Sequence, residues 1–184
     1  MLACASASAF DKWLTKHHDS SDGIWLKIAK NDSGITSVSY QEALEVALCF
    51  GWIDGQKAAL DERTWLQRFT PRKAKSKWSK INCAKATALI KQKRMRAPGL
   101  AQIELAKQDG RWEAAYASQK SAIVPDDFSR ALGKNKKAAA FFATLNSANR
   151  YAILYRLHQT NKPEARAAKI EKFVTMLSLR QTFH

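Results

Sequence analysis

The hydrophobic period of this chain changes at Gly51, and that change restricts the fold more than any other feature. Upstream, Ser39 with Glu42 three residues on forms a capping box, and Ala43, Leu44, Val46, Ala47 and Phe50 recur at helical spacing until Gly51 offers a stop. Downstream, Trp52 to Ala58 and Thr64 to Thr70 read as two short strands separated by the polar Leu60-Asp-Glu-Arg63, and Pro71 ends the second. A buried helix that runs straight into a hairpin predicts an α+β arrangement, because the apolar stripe of the helix and one face of the hairpin must bury each other. Alternation places Trp65, Gln67 and Phe69 on one face of the second strand and Leu66, Arg68 and Thr70 on the other.

The rest of the chain extends this pattern. Ser8 and Asp11 suggest a helix to about His18, Ile24 to Lys30 suggests a strand, and Asn31-Asp-Ser-Gly34 suggests a turn. Ser76 or Ser79 can cap a helix to about Arg94, and Pro98-Gly99 separates it from another over Leu100 to Gln108. Arg111 to Val124 shows no clean period and is expected to be a linker. From Pro125 the pattern is helical throughout, with segments from Pro125 to Leu132, Lys136 to Leu145, Ala148 to His158 and Pro163 to Leu179. The expectation is a helix-rich N-terminal domain with a small antiparallel sheet or hairpin over residues 1–112, then a compact helical domain over residues 113–184.

Several function classes are disfavoured. No apolar run approaches the roughly 18 residues of a membrane-spanning helix, so a soluble globular protein is expected. Met1 to Ala9 lacks a basic leader and an apolar segment; it reads as a frayed start, and the protein as cytoplasmic. Cys4, Cys49 and Cys83 form no CxxC, so neither a disulfide framework nor a zinc site is expected. His17, His18, His158 and His184 are scattered, and HExxH, GxxxxGK[ST] and GxGxxG are all absent. No metal and no cofactor is therefore assigned.

Charge is concentrated. Between Arg63 and Arg96, 34 residues carry 12 lysines and arginines and no acid, while the 62 residues before carry 9 acids against 5 bases. A local excess reads as a site for an anionic partner, whereas a uniform one would read as solubility. Three constellations compete to use it. The first is an anion pocket of Lys57, Arg68, Thr70 and Arg72 with the capped helix start at Ser76, Ser79 and Asn82, lined by Trp52 and Trp78; guanidinium forks and unpaired amides suit phosphate or carboxylate. The second is a polyanion surface of Lys73, Lys75, Lys77, Lys80, Lys85, Lys91, Lys93, Arg94 and Arg96 interleaved with Trp65 and Trp78, suited to nucleic acid or anionic lipid. The third is catalytic, with Asp54 as general acid or base beside Trp52 and with Arg68 and Arg72 holding an anionic substrate. Each has a plainer alternative: Lys57 and Arg68 pair with Asp54, Asp61 or Glu62 across the hairpin, both tryptophans are core, and Asp54 caps a turn before Gly55.

Ala47-Leu-Cys-Phe-Gly-Trp-Ile-Asp-Gly55, Arg68-Phe-Thr-Pro-Arg72, Ser76-Lys-Trp-Ser79 with Asn82, and Met95 to Gly99 together resemble the bacterial YdeI/OmpD-associated, or bacteriocin-protection, family. The tail, through Phe128 to Ala131, Ala140-Phe-Phe142 and Tyr151 to Leu157, resembles that family's small C-terminal helical domain. The resemblance implies a role in stress or antimicrobial-peptide tolerance, and a protein partner such as a porin. Such peptides are mostly cationic, and a protein of net charge +15 would be repelled by them. Protection would therefore have to act indirectly, through anionic lipid, nucleic acid or another protein.

Overall fold

A computed structural model of the chain describes residues 1–183, so the expectation for His184 lies outside the described residues. The chain divides into two compact units, Met1–Ala115 and the segment from Tyr116 onward. The first is α+β and the second helical.

The N-terminal unit orders its elements as β1 (Leu2–Ala3), α1 (Ala7–His17), β2 (Ile24–Ala29), α2 (Tyr40–Cys49), β3 (Trp52–Ala59), β4 (Thr64–Pro71), α3 (Lys80–Lys91) and α4 (Ala97–Gln108). Its sheet runs β1-β2-β4-β3, with β1 parallel to β2 and the other pairs antiparallel. The start of the chain is thus not frayed. Leu2 and Ala3 pair with Leu26 and Lys27, Cys4 is buried, and its carbonyl accepts the Val38 amide. A two-residue strand is too short to show periodicity, and only the tertiary partner makes it a strand.

One face of the sheet carries the core. Ile24, Leu26 and Ile28 on β2 stand opposite Phe69, Gln67 and Trp65 on β4, and ladder partners share a face. Helix α1 lays Phe10 against Phe69 at 5.6 Å between ring centroids and Trp13 edge-on to Trp52 at 6.0 Å. Helix α2 adds Ala43, Leu44, Val46, Ala47 and Leu48, all buried. Its start is the expected capping box: the Ser39 hydroxyl accepts the Glu42 amide while the Glu42 carboxylate accepts the Ser39 amide. The Ser39 amide and the Ser39 hydroxyl, both donating to the carboxylate, hold the Glu42 carboxyl below its ordinary range.

Two helix starts of the N-terminal unit differ from the sequence expectation. Helix α1 is capped by Ser6, not Ser8, because the Ser6 hydroxyl reaches the Ala9 amide. Pro98 and Gly99 lie inside the first turn of α4 and do not separate it from α3. Proline costs little there, since a first-turn amide has no intrahelical partner.

The second unit contains α5 (Asp126–Gly133), α6 (Lys136–Thr144), α7 (Ser147–His158) and α8 (Pro163–Ser178). Phe128, Leu132, Phe142, Ile153, Leu154, Leu157, Phe173 and Leu177 form its core. Asn135 and Asn146 cap α6 and α7. Arg166 grips the Asp127 carboxylate with two guanidinium nitrogens and donates a third bond to the Leu157 carbonyl, tying α8 to α5 and α7. Among the described residues no helix is long and apolar enough to cross a membrane, and no cluster of His, Cys, Asp or Glu could hold a metal ion.

Candidate functional site

The sequence blocks that stand out around Gly51 meet in space. Helix α2 ends with Phe50 as its cap and Gly51 at φ 72°, a left-handed turn that glycine adopts without strain. The Gly51 carbonyl then accepts the Arg72 amide at 3.0 Å, joining the start of β3 to the end of β4. The Cys49 carbonyl accepts the Arg96 amide at 3.2 Å, and Gly99 packs directly over it: a Cβ at Gly99 would lie 2.3 Å from the Cys49 oxygen. The block from Ala47 to Gly55, the end of β4 and the segment from Met95 to Gly99 therefore form one junction between α2, the hairpin and α4.

Arg72 continues that junction inward. It is only 6% exposed, its guanidinium lies 3.5 Å from the centroid of the buried Trp78 ring, and one of its nitrogens donates to the Lys77 carbonyl at 3.1 Å. Trp78 packs in turn on Trp112, with centroids 4.9 Å apart. Arg111 donates to the Ser76 carbonyl at 2.7 Å, and the Ser76 hydroxyl accepts the Lys73 amide at 2.8 Å. Two arginines and a serine thus hold the segment from Lys73 to Ser79 by its backbone, while Lys73, Lys75, Lys77 and Lys80 are exposed. Ser79 caps α3 by accepting the Asn82 amide, and Asn82 is buried behind it.

The residues expected to line one anion pocket do not converge. Asp54 pairs with Phe69 on the core face, whereas Arg68, the next residue of β4, belongs to the opposite face, where its guanidinium sits 5.9 Å from the Trp25 ring. Thr70 shares that opposite face and packs its methyl beside Gly23. Arg72 and Trp78 are core, and Trp52 is core with its indole N–H donating to the His18 carbonyl. Side-chain alternation at a spacing of one residue separates Asp54 from Arg68, and burial withdraws Arg72. The acid-base arrangement of Asp54 with the two arginines is therefore not assembled. Asp54 does not cap a turn either; it lies within β3 and accepts the Tyr40 hydroxyl at 2.8 Å. The hairpin turn is tied by Asp61, whose carboxylate takes the Thr64 hydroxyl and the Arg63 and Thr64 amides, which hold it below the usual carboxylate range.

Lys57 owes its placement to a β-bulge. Asp54 pairs with Phe69 and Lys57 with Gln67, so two residues of β3, Gly55 and Gln56, oppose Arg68 alone. The extra residue returns Lys57 to the core face, although strict alternation would turn it away from Asp54. The buried Gln67 amide donates to the Gly55 and Gln56 carbonyls at 3.1 Å each and holds the bulge. Lys57 ends with its ammonium 4.1 Å from the Trp65 ring centroid. Tyr40 stands beside Trp65, and sequence reasoning missed it because the first residue after a helix cap carries no distinguishing pattern.

The basic stretch also resolves into parts. Glu45 pairs with Arg94 at 3.0 Å and Lys85 at 3.8 Å, and Asp11 pairs with Arg96 at 3.3 Å. Lys73, Lys75, Lys80, Lys91 and Lys93 are exposed and make no ion pair among the described residues. The thiols offer no reactive group to this surface: burial pushes Cys4 and Cys49 above the ordinary thiol range and Cys83 up to about 11.

Residues 121–179 match the family OmdA, described as "Bacteriocin-protection, YdeI or OmpD-Associated". The resemblance read across nearly the whole chain is thus carried by the C-terminal domain, and the blocks around Gly51 fall in a different family. No curated protein and no solved structure matches the chain. Residues 2–102, more than half of the chain, match the family described as "Domain of unknown function (DUF8412)", and the chain belongs to that family, with an OmdA domain following it.

Proposed function

We propose that the N-terminal unit docks on anionic lipid headgroups through Lys73, Lys75, Lys80, Lys91 and Lys93, in a bacteriocin-protection or envelope-associated role. The observation that carries this reading is that these five lysines are exposed and without an ion-pair partner among the described residues, in a stretch that contains no acid. Beside an anionic surface each contributes about 1 kcal/mol, so together they supply about 5 kcal/mol, a weak and salt-sensitive attachment. Two further observations favour lipid over single-stranded nucleic acid. Trp78, the one tryptophan between Lys73 and Lys93, is buried and offers these lysines no ring on which a base could stack, and α3 leaves Ile81 and Ile90 exposed beside them.

In this reading the protein works in the cytoplasm against the inner leaflet, where a cationic protein covers the headgroups that a cationic peptide would otherwise engage. The OmdA description, with its reference to bacteriocin protection, supports the protective part of that reading. Co-sedimentation with phosphatidylglycerol vesicles at 50 and 500 mM salt tests it. Binding at the lower salt only, weak binding to phosphatidylcholine, and loss in a Lys73→Gln, Lys75→Gln, Lys80→Gln variant are expected. Absence of binding at low salt, or wild-type binding by the variant, overturns the proposal, and equal salt-sensitive binding of duplex DNA transfers it to nucleic acid.

A further inference from the structure

The N-terminal unit contains a cavity of about 730 Å³ that the lysine surface does not use, lined chiefly by Ile28, Lys30, Ser39, Tyr40, Lys57 and Trp65. Its volume falls within the range of small-molecule clefts. The half-buried Trp65 presents its indole to the cavity, and the Tyr40 ring flanks it at 6.1 Å with a tilt of 46°. The bond from the Tyr40 hydroxyl to Asp54 fixes that ring. Lys57 stands over the indole, and Lys30 donates to the Asp61 carbonyl, a neutral acceptor that leaves its charge in place. No carboxylate lines the cavity.

Two aromatic walls and two ammonium groups, with no carboxylate in the lining itself, select by shape and by charge. An aromatic wall favours a flat ring, and the Lys57 ammonium on its flexible stem, which an acid can draw off the indole face it covers, favours an anionic substituent on that ring. The Gly55–Gln56 bulge and the Gln67 clamp are what aim Lys57 at this cavity. We infer that the cavity binds a small planar aromatic molecule bearing one acidic group, stacked on Trp65 with the acid against Lys57.

Matched probes isolate the charge from the ring. Indole-3-acetate and 1-naphthoate are titrated by calorimetry against the full chain, each beside its neutral amide. The acids bind about tenfold tighter than the amides, Lys57→Gln removes that preference while leaving the amides unchanged, and Trp65→Ala weakens acids and amides alike. Lys57 is exposed, so Lys57→Gln retains the fold, and a helical circular-dichroism melt checks Trp65→Ala. Equal binding of acid and amide, an undiminished preference in Lys57→Gln, or no binding by either acid overturns the inference. Vesicle binding depends on other lysines, so failure here and failure of the lipid reading are separately visible.

Discussion

Replacing Gly99 with alanine tests whether the junction around Gly51 holds the N-terminal unit together. The new Cβ would lie 2.3 Å from the Cys49 oxygen, 2.8 Å from its carbonyl carbon and 2.7 Å from the Met95 methyl. The methyl of Met95 can swing aside, but the Cys49 carbonyl belongs to the last turn of α2. The start of α4 must therefore retreat by about 1 Å to reach ordinary contact. Overpacking of this kind costs about 1–3 kcal/mol, and loss of the Arg96 amide bond to Cys49 adds about 1 kcal/mol. The better helix propensity of alanine offsets about 1 kcal/mol. The net loss of about 1–3 kcal/mol corresponds to a fall of about 1 M in the urea midpoint. Tryptophan fluorescence reads this cleanly because all 6 tryptophans, at 13, 25, 52, 65, 78 and 112, lie in the N-terminal unit. Gly133→Ala, in α5 of the second unit and therefore followed by helical circular dichroism, is the control: nothing lies within 4 Å of its Cβ position and it has no positive φ, so no loss is expected. An unchanged or higher fluorescence midpoint in Gly99→Ala would refute the close-packing argument.

In the second unit, the Arg166 guanidinium hydrogen-bonds Asp127 and holds its carboxyl below the ordinary value. Because the folded pKa lies below the unfolded one, the pair's stabilisation is full above the unfolded value near 3.8 and is lost as pH falls through the folded value. Helical circular dichroism in urea at successive pH values should show this acid loss, and Asp127→Asn should remove that part of the pH dependence while lowering stability at pH 7. A wild-type profile in Asp127→Asn counts against the pair. The three thiols are held protonated by burial, so Ellman's reagent at pH 8 should label native protein much more slowly than urea-unfolded protein. Rapid labelling of native Cys83 would contradict its placement.

Strong local signals were legible without coordinates. Ser39 and Glu42 share their cap within four residues, Gly51 ends α2 through its own backbone freedom, and the apolar positions of the C-terminal helices recur at a period set by helix geometry alone. The two hairpin strands were equally readable, because the turn chemistry of Asp61 and the stop at Pro71 act within a few residues. The N-terminal strand was not, since Leu2 and Ala3 become a strand only through Leu26 and Lys27.

The candidate site divided along the same line. Residue types set the charge pattern, and the acid-free run from Arg63 to Arg96 is a property of composition that no fold can alter. Which of those cations reach solvent is a property of packing. Arg72 disappears under Trp78, Glu45 and Asp11 occupy Arg94 and Arg96, and Lys73 and Lys75 stay outside because Arg72, Arg111 and Ser76 hold their segment by its backbone. The face of a β-strand is harder still to read, since one inserted residue reverses it: the bulge at Gly55 and Gln56 sends Lys57 to Trp65 and away from Arg68. Chemical identity is local and additive along a chain. Convergence depends on register and burial, which are set by residues far apart in sequence.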